Sequence, residues 1–506
     1  MWWLDRLLAE LLAPLAMWVF ASGLDDLFLD LCYFYFRVRD RFGSRSAPER
    51  SDSRPECTTT EPRIAIMVPC WAEEAVIGRM LARNLREIDY ANYDFWIGVY
   101  PNDEATLGRV DGCRQTSLRI HVAMCPRPGP TTKADCLNAI YGAIVRHEAE
   151  TGSRYELVLQ HDAEDVIHPQ ALSLLGRGIS RAAMIQIPVF PLAHSPVEMT
   201  HGTYADEFAE SHTKDLLVRS HLGGFVPSAG VGTAFRRDTL ESLARENGGS
   251  PFDATSLTED YNVGLQMHQL SLRELFLREP ASRGPAPSVP ELSPAKPTRA
   301  ARRWVATQGY FPDTLATAIR QKSRWVTGIT LQSWQRYGWS AGPRQLYWLW
   351  RDRKGLFVHP TSLLANALCA YGLMRWMWMS AQGHSWTALE SLENDATLTA
   401  LLAANFGLLI WRQAVRMHFV TGLYGLGLGL TVPLRAPWGN LINVCATCRA
   451  VWQFVAARLG NFRLEWDKTE HTFPGQPATF AVVRGGSSGG GPGRPESVAP
   501  VLREVG

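Results

Sequence analysis

ELVLQHDAEDVI, residues 156–167, decides the fold: a short apolar run ends abruptly in Gln160, His161, Asp162, Ala163, Glu164 and Asp165. An apolar run this short, rich in Val and Leu, has the length of a buried strand. Acids placed directly after such a strand sit where open α/β sheets bind ligands, at the carboxyl ends of the strands. Carboxylates at i and i+2 there can hold one hard divalent cation whose other ligands are diphosphate oxygens. A solvated acidic turn would carry the same three acids, so the neighbouring segments decide.

Upstream and downstream the pattern repeats. RIAIMVP (63–69), FWIGVY (95–100), RIHVA (119–123) and MIQIPVF (184–190) are β-rich, whereas AVIGRMLARNLREI (75–88) and KADCLNAIYGAIVRHEAE (133–150) have helical periodicity. Strands alternating with helices predict an α/β domain over residues 60–355, with a mixed, mostly parallel sheet flanked by helices. Other chemistry-bearing segments lie along it. Asp103 ends YPND after a strand, in a run that also suits a turn. Thr258-Glu259-Asp260 precedes a helical stretch, where Thr258 can serve as N-cap. Gly230 and Gly232, in PSAGVGTAF, allow close backbone approach in the loop Ser228–Phe235. Gln321-Lys322-Ser323-Arg324-Trp325 lies on an amphipathic helix. The chain has 51 basic residues, of which only six are lysines; Lys133 and Lys322 stand in or beside these clusters.

The whole chain has 506 residues, 18 tryptophans and a formal net charge of +2, so no overall field favours nucleic acid. A mean hydropathy of −0.12 excludes a protein made mostly of membrane helices, but not a soluble domain with a few spans. Residues 1–24 have the length of a membrane span. The acids of DDLFLDLCYFYF (25–36) suit an interfacial helix, and an arginine run reaching Arg54 completes a basic linker to residue 59, placing that side in the cytoplasm. Apolar character returns at 361–380 and 396–411, within a spanning and interfacial region set at 356–458. The acidic connector 381–395 is expected outside, and Arg375 is expected to snorkel to the surface. The glycine-rich run 419–434 is a fourth span or an interfacial helix pair. The proline-rich piece 280–297 reads as a surface loop. Residues 459–506 form a cytoplasmic tail, disordered from about 485. The nine cysteines suit a reducing compartment, and Cys445-x-x-Cys448 lies in an apolar stretch better suited to a packed or membrane-facing helix than to a metal site.

Taken in order, these clusters resemble the family 2 glycosyltransferases with a GT-A fold, the group containing cellulose and hyaluronan synthases. The likeness runs from Val68 to Trp325. It implies that Pro69, Glu73 and Asp103 line the nucleotide site with Lys133 and Asp162, that Asp162 and Glu164 hold a divalent cation (Mg2+ or Mn2+), and that Asp260 is the general base. Gln321, Arg324 and Trp325 match the Q-x-x-R-W signature of processive enzymes. They would serve the leaving diphosphate and the acceptor, together with Gly232, Thr233 and Glu259. Two departures stand out: Ala72 replaces the usual Asn before Glu73, and the usual D-x-D is Asp162-Ala163-Glu164, so the second ligand is Glu164 or Asp165.

VPCWAEEAVIG, YPND, RPGPTTKADCLN, HDAEDVI, PSAGVGTAF, SLTEDYNVG, WRDRKG and WGNLIN look more closely like the phage-adsorption-protein-B (NfrB-type) membrane glycosyltransferases, to about Pro474. Members of that group often add a C-terminal domain resembling cyclic-di-GMP-binding modules. This chain ends in a glycine-rich tail, so the module is expected to be missing or supplied by another polypeptide. The resemblance implies a UDP- or GDP-linked sugar donor, a glycan or lipid-linked acceptor, and inversion by single displacement. It further implies residence in the bacterial inner membrane, multi-pass, with the catalytic domain cytoplasmic and an outer-membrane export or receptor partner. The alternative is a catalytically silent envelope scaffold or phage-adsorption receptor component of the same fold.

Overall fold

The computed structural model describes residues 2–42, 61–192, 195–282, 303–339, 342–386 and 395–460. The basic linker, the proline-rich loop beyond Ser282, most of the 381–395 connector and the tail beyond Gly460 lie outside the described residues.

The β-rich runs form strands as expected: β1 (Ile64–Pro69), β2 (Tyr93–Val99), β3 (Ile120–Met124), β4 (Leu157–Gln160), β5 (Met184–Gln186) and β6 (Val189–Pro191); three strands not expected from the sequence join them, β7 (Thr233–Arg236), β8 (Glu274–Phe276) and β9 (Thr307–Gly309). Seven of them make one sheet in the order β3-β2-β1-β4-β7-β5-β8. Every pairing is parallel except those of β7, which runs antiparallel to β4 and β5. β1 and β4 are buried along their whole length, which explains why they read as continuous rather than alternating apolar runs. MIQIPVF, expected as one strand, is two. Pro188 has no N–H for a ladder bond, and there the chain leaves the main sheet, so that β6 pairs in parallel with β9.

Around the sheet lie α1 (Trp2–Phe42), α2 (Ile77–Glu87), α3 (Glu104–Arg114), α4 (Lys133–Thr151), α5 (Ala171–Gly178), α6 (Met199–Glu210), α7 (Leu216–His221), α8 (Arg237–Glu246) and α9 (Glu259–Gln269). Then follow α10 (Leu315–Trp325), α11 (Ser333–Tyr337), α12 (Pro343–Arg353), α13 (Gly355–Ala381), α14 (Ala396–Tyr424), α15 (Leu426–Leu430) and α16 (Val432–Arg458). Two apolar clusters fill the faces of the sheet. Val68, Ile97, Leu159 and Val305 belong to one, and Met67, Val158, Phe235 and Val263 to the other. This is the mixed, helix-flanked α/β architecture expected from the alternation.

Among the described residues, three helices, α1, α13 and α14, are long and apolar enough to cross a membrane. The division expected at Leu24 does not interrupt α1, which runs unbroken for 41 residues, about 60 Å and twice a bilayer's hydrocarbon core. Its acids are consumed by packing. Asp25 meets Arg351 and Lys354, both at 2.6 Å, and Asp26 meets Lys354 at 3.0 Å and Arg412. Asp30 receives Lys214 at 2.5 Å and the Trp411 indole at 2.9 Å. Arg375 lies 3.6 Å from Asp5 in the first turn of α1, beside Tyr371, whose hydroxyl donates to the same carboxylate. The run 419–434 is no single element, because Gly425, at φ 99, separates α14 from α15 and Thr431 precedes α16. Cys445 and Cys448 fall within α16, both as free thiols.

Candidate active site

The carboxyl ends of β1, β2 and β4 meet at one rim. Pro69 closes β1 in register with Gly98 of β2, and the chain then turns through Ala72, whose φ of 51 is left-handed. That turn is held by Asp103, the N-cap of α3, whose carboxylate accepts from the backbone N–H of Ala72 at 2.6 Å and of Thr106 at 3.3 Å. The Glu73 N–H donates to Thr106 Oγ1 at 2.8 Å, and Glu73 and Asp103 are both buried. The usual Asn at position 72 is explained by this geometry, since Asn tolerates the left-handed region better than Ala.

Beyond β4 the acidic loop has two faces. Asp165 turns inward, its Oδ2 accepting from Asp162 N at 3.0 Å and meeting His161 Nδ1 at 2.7 Å. Asn84 of α2 fastens the same loop through Asp165 O and Ile167 N, at 3.0 Å each. Asp162 turns the other way and is 29% exposed; Lys133 Nζ lies 2.5 Å from its Oδ1. Of the two candidates for second ligand, Asp165 is therefore engaged in holding the loop. Glu164 is buried at 8% exposure.

Lys133 opens α4, whose start is fixed by a reciprocal cap between Thr132 and Asp135. Asn138, one helical turn on, clamps the backbone of Phe252 with both amide atoms, at 2.8 and 3.0 Å. Burial alone would lower the Lys133 pKa, but the carboxylates of Asp162, Glu259 and Asp260 more than offset this and hold the ammonium above its ordinary value.

Glu259 and Asp260 begin α9. Thr258 occupies the N-cap position, yet its side chain makes no capping bond; the turn after α10 presses on it, with no space for a Cβ at Gly328. Burial, then the adjacent Asp260 charge, push the Glu259 carboxyl up to about 7 against Lys133 and Arg324. Asp260 is likewise raised by burial, opposed by Lys133 and Arg324. Its Oδ1 accepts from Tyr261 N at 2.7 Å, while its Oδ2 would lie 2.5 Å from a Cβ on Gly230. Gly230 and Gly232 both have positive φ, and a Cβ on Gly232 would meet Thr307 Oγ1 at 2.5 Å. The glycines are required, because the loop passes between Asp260 and Thr307 with no space for side chains.

Gln186, which the sequence reading missed, organises that loop. Its Oε1 accepts from Ala229 N at 2.8 Å and Thr233 Oγ1 at 2.6 Å, and its Nε2 donates to Val231 O at 3.0 Å. A lone amide inside an apolar strand was the available signal. Thr233 is fully buried, part of this scaffold rather than of an open surface.

The Q-x-x-R-W segment divides. Arg324 acts electrostatically on Glu259 and Asp260, and its Nε, like Gln321 Oε1, is buried without a hydrogen-bond partner. Trp325 packs against Tyr204 and Phe208, with ring centroids 6.0 and 6.2 Å apart. Lys322 is structural: it meets both Glu207 oxygens at 2.7 Å and Asn443 at 2.8 Å, tying α10 to α6 and α16. Thus Lys133 feels Asp162, Glu259 and Asp260, Arg324 acts on Glu259 and Asp260, and Asp260 lies against Gly230, while Pro69, Glu73 and Asp103 build the rim at the ends of β1 and β2.

Among known proteins, the chain is 40% identical over 462 residues to bacteriophage adsorption protein B of Escherichia coli (strain K12) and, equally, to bacteriophage N4 adsorption protein B of Escherichia coli O157:H7. Each match covers 91% of this chain and 61% of the relative, so the chain spans less than two thirds of their length. Among solved structures, a mannosyltransferase from Pyrobaculum calidifontis, in complex with GDP-mannose and Mn2+, is 15% identical at a TM-score of 0.49, covering 87% of this chain and 99% of that one. The model of the family described as glycosyltransferase like family 2 matches residues 62–328. That span begins just before β1 and ends just beyond α10, enclosing the acidic loop, the glycine loop and the Glu259–Asp260 pair. The chain belongs to the glycosyltransferase like family 2.

Proposed function

We propose that the chain is a membrane-bound, inverting glycosyltransferase that moves a sugar from a UDP- or GDP-linked donor to a growing saccharide, an envelope glycan or a lipid-linked acceptor. The observation that carries this reading is Asp260, set against Gly230 and within the fields of Lys133, Arg324 and Asp162, with Lys133 and Asp162 paired at the end of β4. A divalent cation, Mg2+ or Mn2+, fits the donor set. Asp162 offers hard carboxylate oxygen at a partly exposed position and already attracts a cation, Lys133. Among the described residues no three His, Cys, Asp or Glu form a closed cage, which suits a site completed by diphosphate oxygens. Asp162 and Glu164 would hold the cation, which when bound supplies charge stabilisation to the leaving diphosphate.

This chain's own residues do the rest. Glu73, Asp103 and Pro69 shape the nucleotide rim. Lys133 and Arg324 place positive charge where the diphosphate develops its negative charge. Asp260, beside the backbone of Gly230, accepts the proton of the acceptor hydroxyl as that oxygen attacks the anomeric carbon. A single base without a second nucleophilic carboxylate means one displacement, so an α-linked donor yields a β-glycoside.

Asp260→Asn keeps size and most hydrogen bonds but cannot take the proton. Donor affinity should survive while transfer falls by roughly 10²–10⁴-fold; sugar transfer and donor binding in nanodiscs measure both. Transfer near the wild-type level would remove Asp260 as the base. A second reading, an envelope scaffold used in phage adsorption, is favoured by the names of the 40%-identical relatives. Release of UDP or GDP from a panel of sugar donors by the purified chain separates the two.

A further inference from the structure

One carboxylate oxygen of the acidic loop is already taken. Lys133 Nζ is 2.5 Å from Asp162 Oδ1, with the two side chains 17% and 29% exposed. The fields of Glu259 and Asp260 act on the same ammonium. An oxygen bound to an ammonium cannot also take a cation at inner-sphere distance without bringing two positive charges together. The Thr132–Asp135 cap pins the backbone at the start of α4, so any movement belongs to the four-carbon stem of the lysine, which is flexible and ends in a compact charge.

We propose that Lys133 is an exchangeable counter-ion: its ammonium neutralises Asp162 in the free protein, cedes that oxygen to the divalent cation, and moves to the diphosphate of the incoming donor. The inference rests on the assignment of Asp162 as a cation ligand. Its consequence is coupling. A cation arriving alone must displace an ammonium that then has no partner, whereas a cation arriving with a diphosphate gives that ammonium a new one. Metal and nucleotide therefore bind cooperatively, and reciprocally so. A permanent structural ion pair would show none of this.

The test uses the full chain in nanodiscs, with Mn2+ binding followed by electron paramagnetic resonance, alone and with UDP or GDP. In the wild type the nucleotide should tighten Mn2+ about tenfold or more. Lys133→Met should bind Mn2+ alone about tenfold more tightly, the scale of a part-buried ion pair, and lose most of the nucleotide's effect. Lys133→Arg, which keeps the charge, should stay near the wild type. In the unmodified chain, amine labelling of Lys133 read by mass spectrometry should rise with Mn2+ alone and fall when UDP or GDP is added. Mn2+ affinity unchanged in Lys133→Met, or labelling indifferent to bound Mn2+, overturns the exchange while leaving the cation site in place. No Mn2+ bound with or without nucleotide, and no effect of Asp162→Asn, overturns the cation assignment and the exchange with it.

Discussion

Asp260 and Glu259 are neighbours in sequence with raised pKa values, so they titrate as a pair. With Asp260 as the proposed base, transfer needs its carboxylate ionised, so activity should be lost as pH falls through the raised values. The acidic limb of the pH–rate profile should sit above the ordinary carboxylate range, with a step near the 7 of Glu259. Glu259→Gln should abolish that step and leave a limb at lower pH; donor turnover between pH 4 and 9 measures both. Ala72 gives a stability prediction of the same grain. A left-handed alanine is strained by roughly 1 kcal/mol, so Ala72→Gly or Ala72→Asn should raise the melting temperature without weakening the Asp103 contact, which uses only the backbone N–H. What was legible in the sequence follows the same lines. Asp103, Asp162 and Asp260 announce themselves because each closes a strand or opens a helix, where a carboxylate has an obvious use. Gln186 and Asn84 do not, because their partners, mostly main-chain atoms, lie in segments distant in sequence, and no local pattern records such a bond. Nor does any local pattern show that Trp325 packs against Tyr204 and Phe208, more than a hundred residues upstream.

Between elements, the decisive contacts are buried charges. Arg435 of α16 is fully buried and reaches Asp206 of α6 at 2.6 and 2.9 Å, and Leu428 O at 2.8 Å. Removing one member leaves the other charged and unpaired, at a cost of about 3–5 kcal/mol. Arg435→Ala and Asp206→Ala should each lower thermal stability sharply, and the double variant should cost much less than their sum. Additive losses in that cycle would show the pair to be uncoupled. Strand boundaries were legible to within two residues because β1, β2 and β4 are short and apolar throughout. The break at Pro188 was obscured by apolar residues on both sides of it, and the continuity of α1 was obscured by its acids. Asp25, Asp26 and Asp30 read as solvated only until Arg351, Lys354, Arg412 and Lys214 are placed against them.

At the scale of the molecule, α1, α13 and α14 pack together. Asn405 of α14 donates to Ala16 O at 2.9 Å, and the Trp18 indole donates to Thr361 of α13 at 3.1 Å. We propose that these helices anchor the chain in the bacterial inner membrane, with the family 2 domain on the cytoplasmic side, where nucleotide sugars are made. Reporter fusions after Arg54 and after Glu393 should then give opposite signals; equal signals would refute that topology.

The acids of α1 also impose a timetable on biosynthesis. Asp25 and Asp26 leave the ribosome early, but Arg351, Lys354 and Arg412 lie 325 to 386 residues further along the chain, and Lys214 follows Asp30 by 184. At roughly 5–20 residues per second, that is an interval on the order of tens of seconds. Through it the second half of α1 carries uncompensated negative charge, which is costly to place in hydrocarbon. Under the proposed membrane anchoring, only the first half of the helix would commit to the bilayer during translation, and the second half would take its seat only when the last third of the chain has emerged to pair with it.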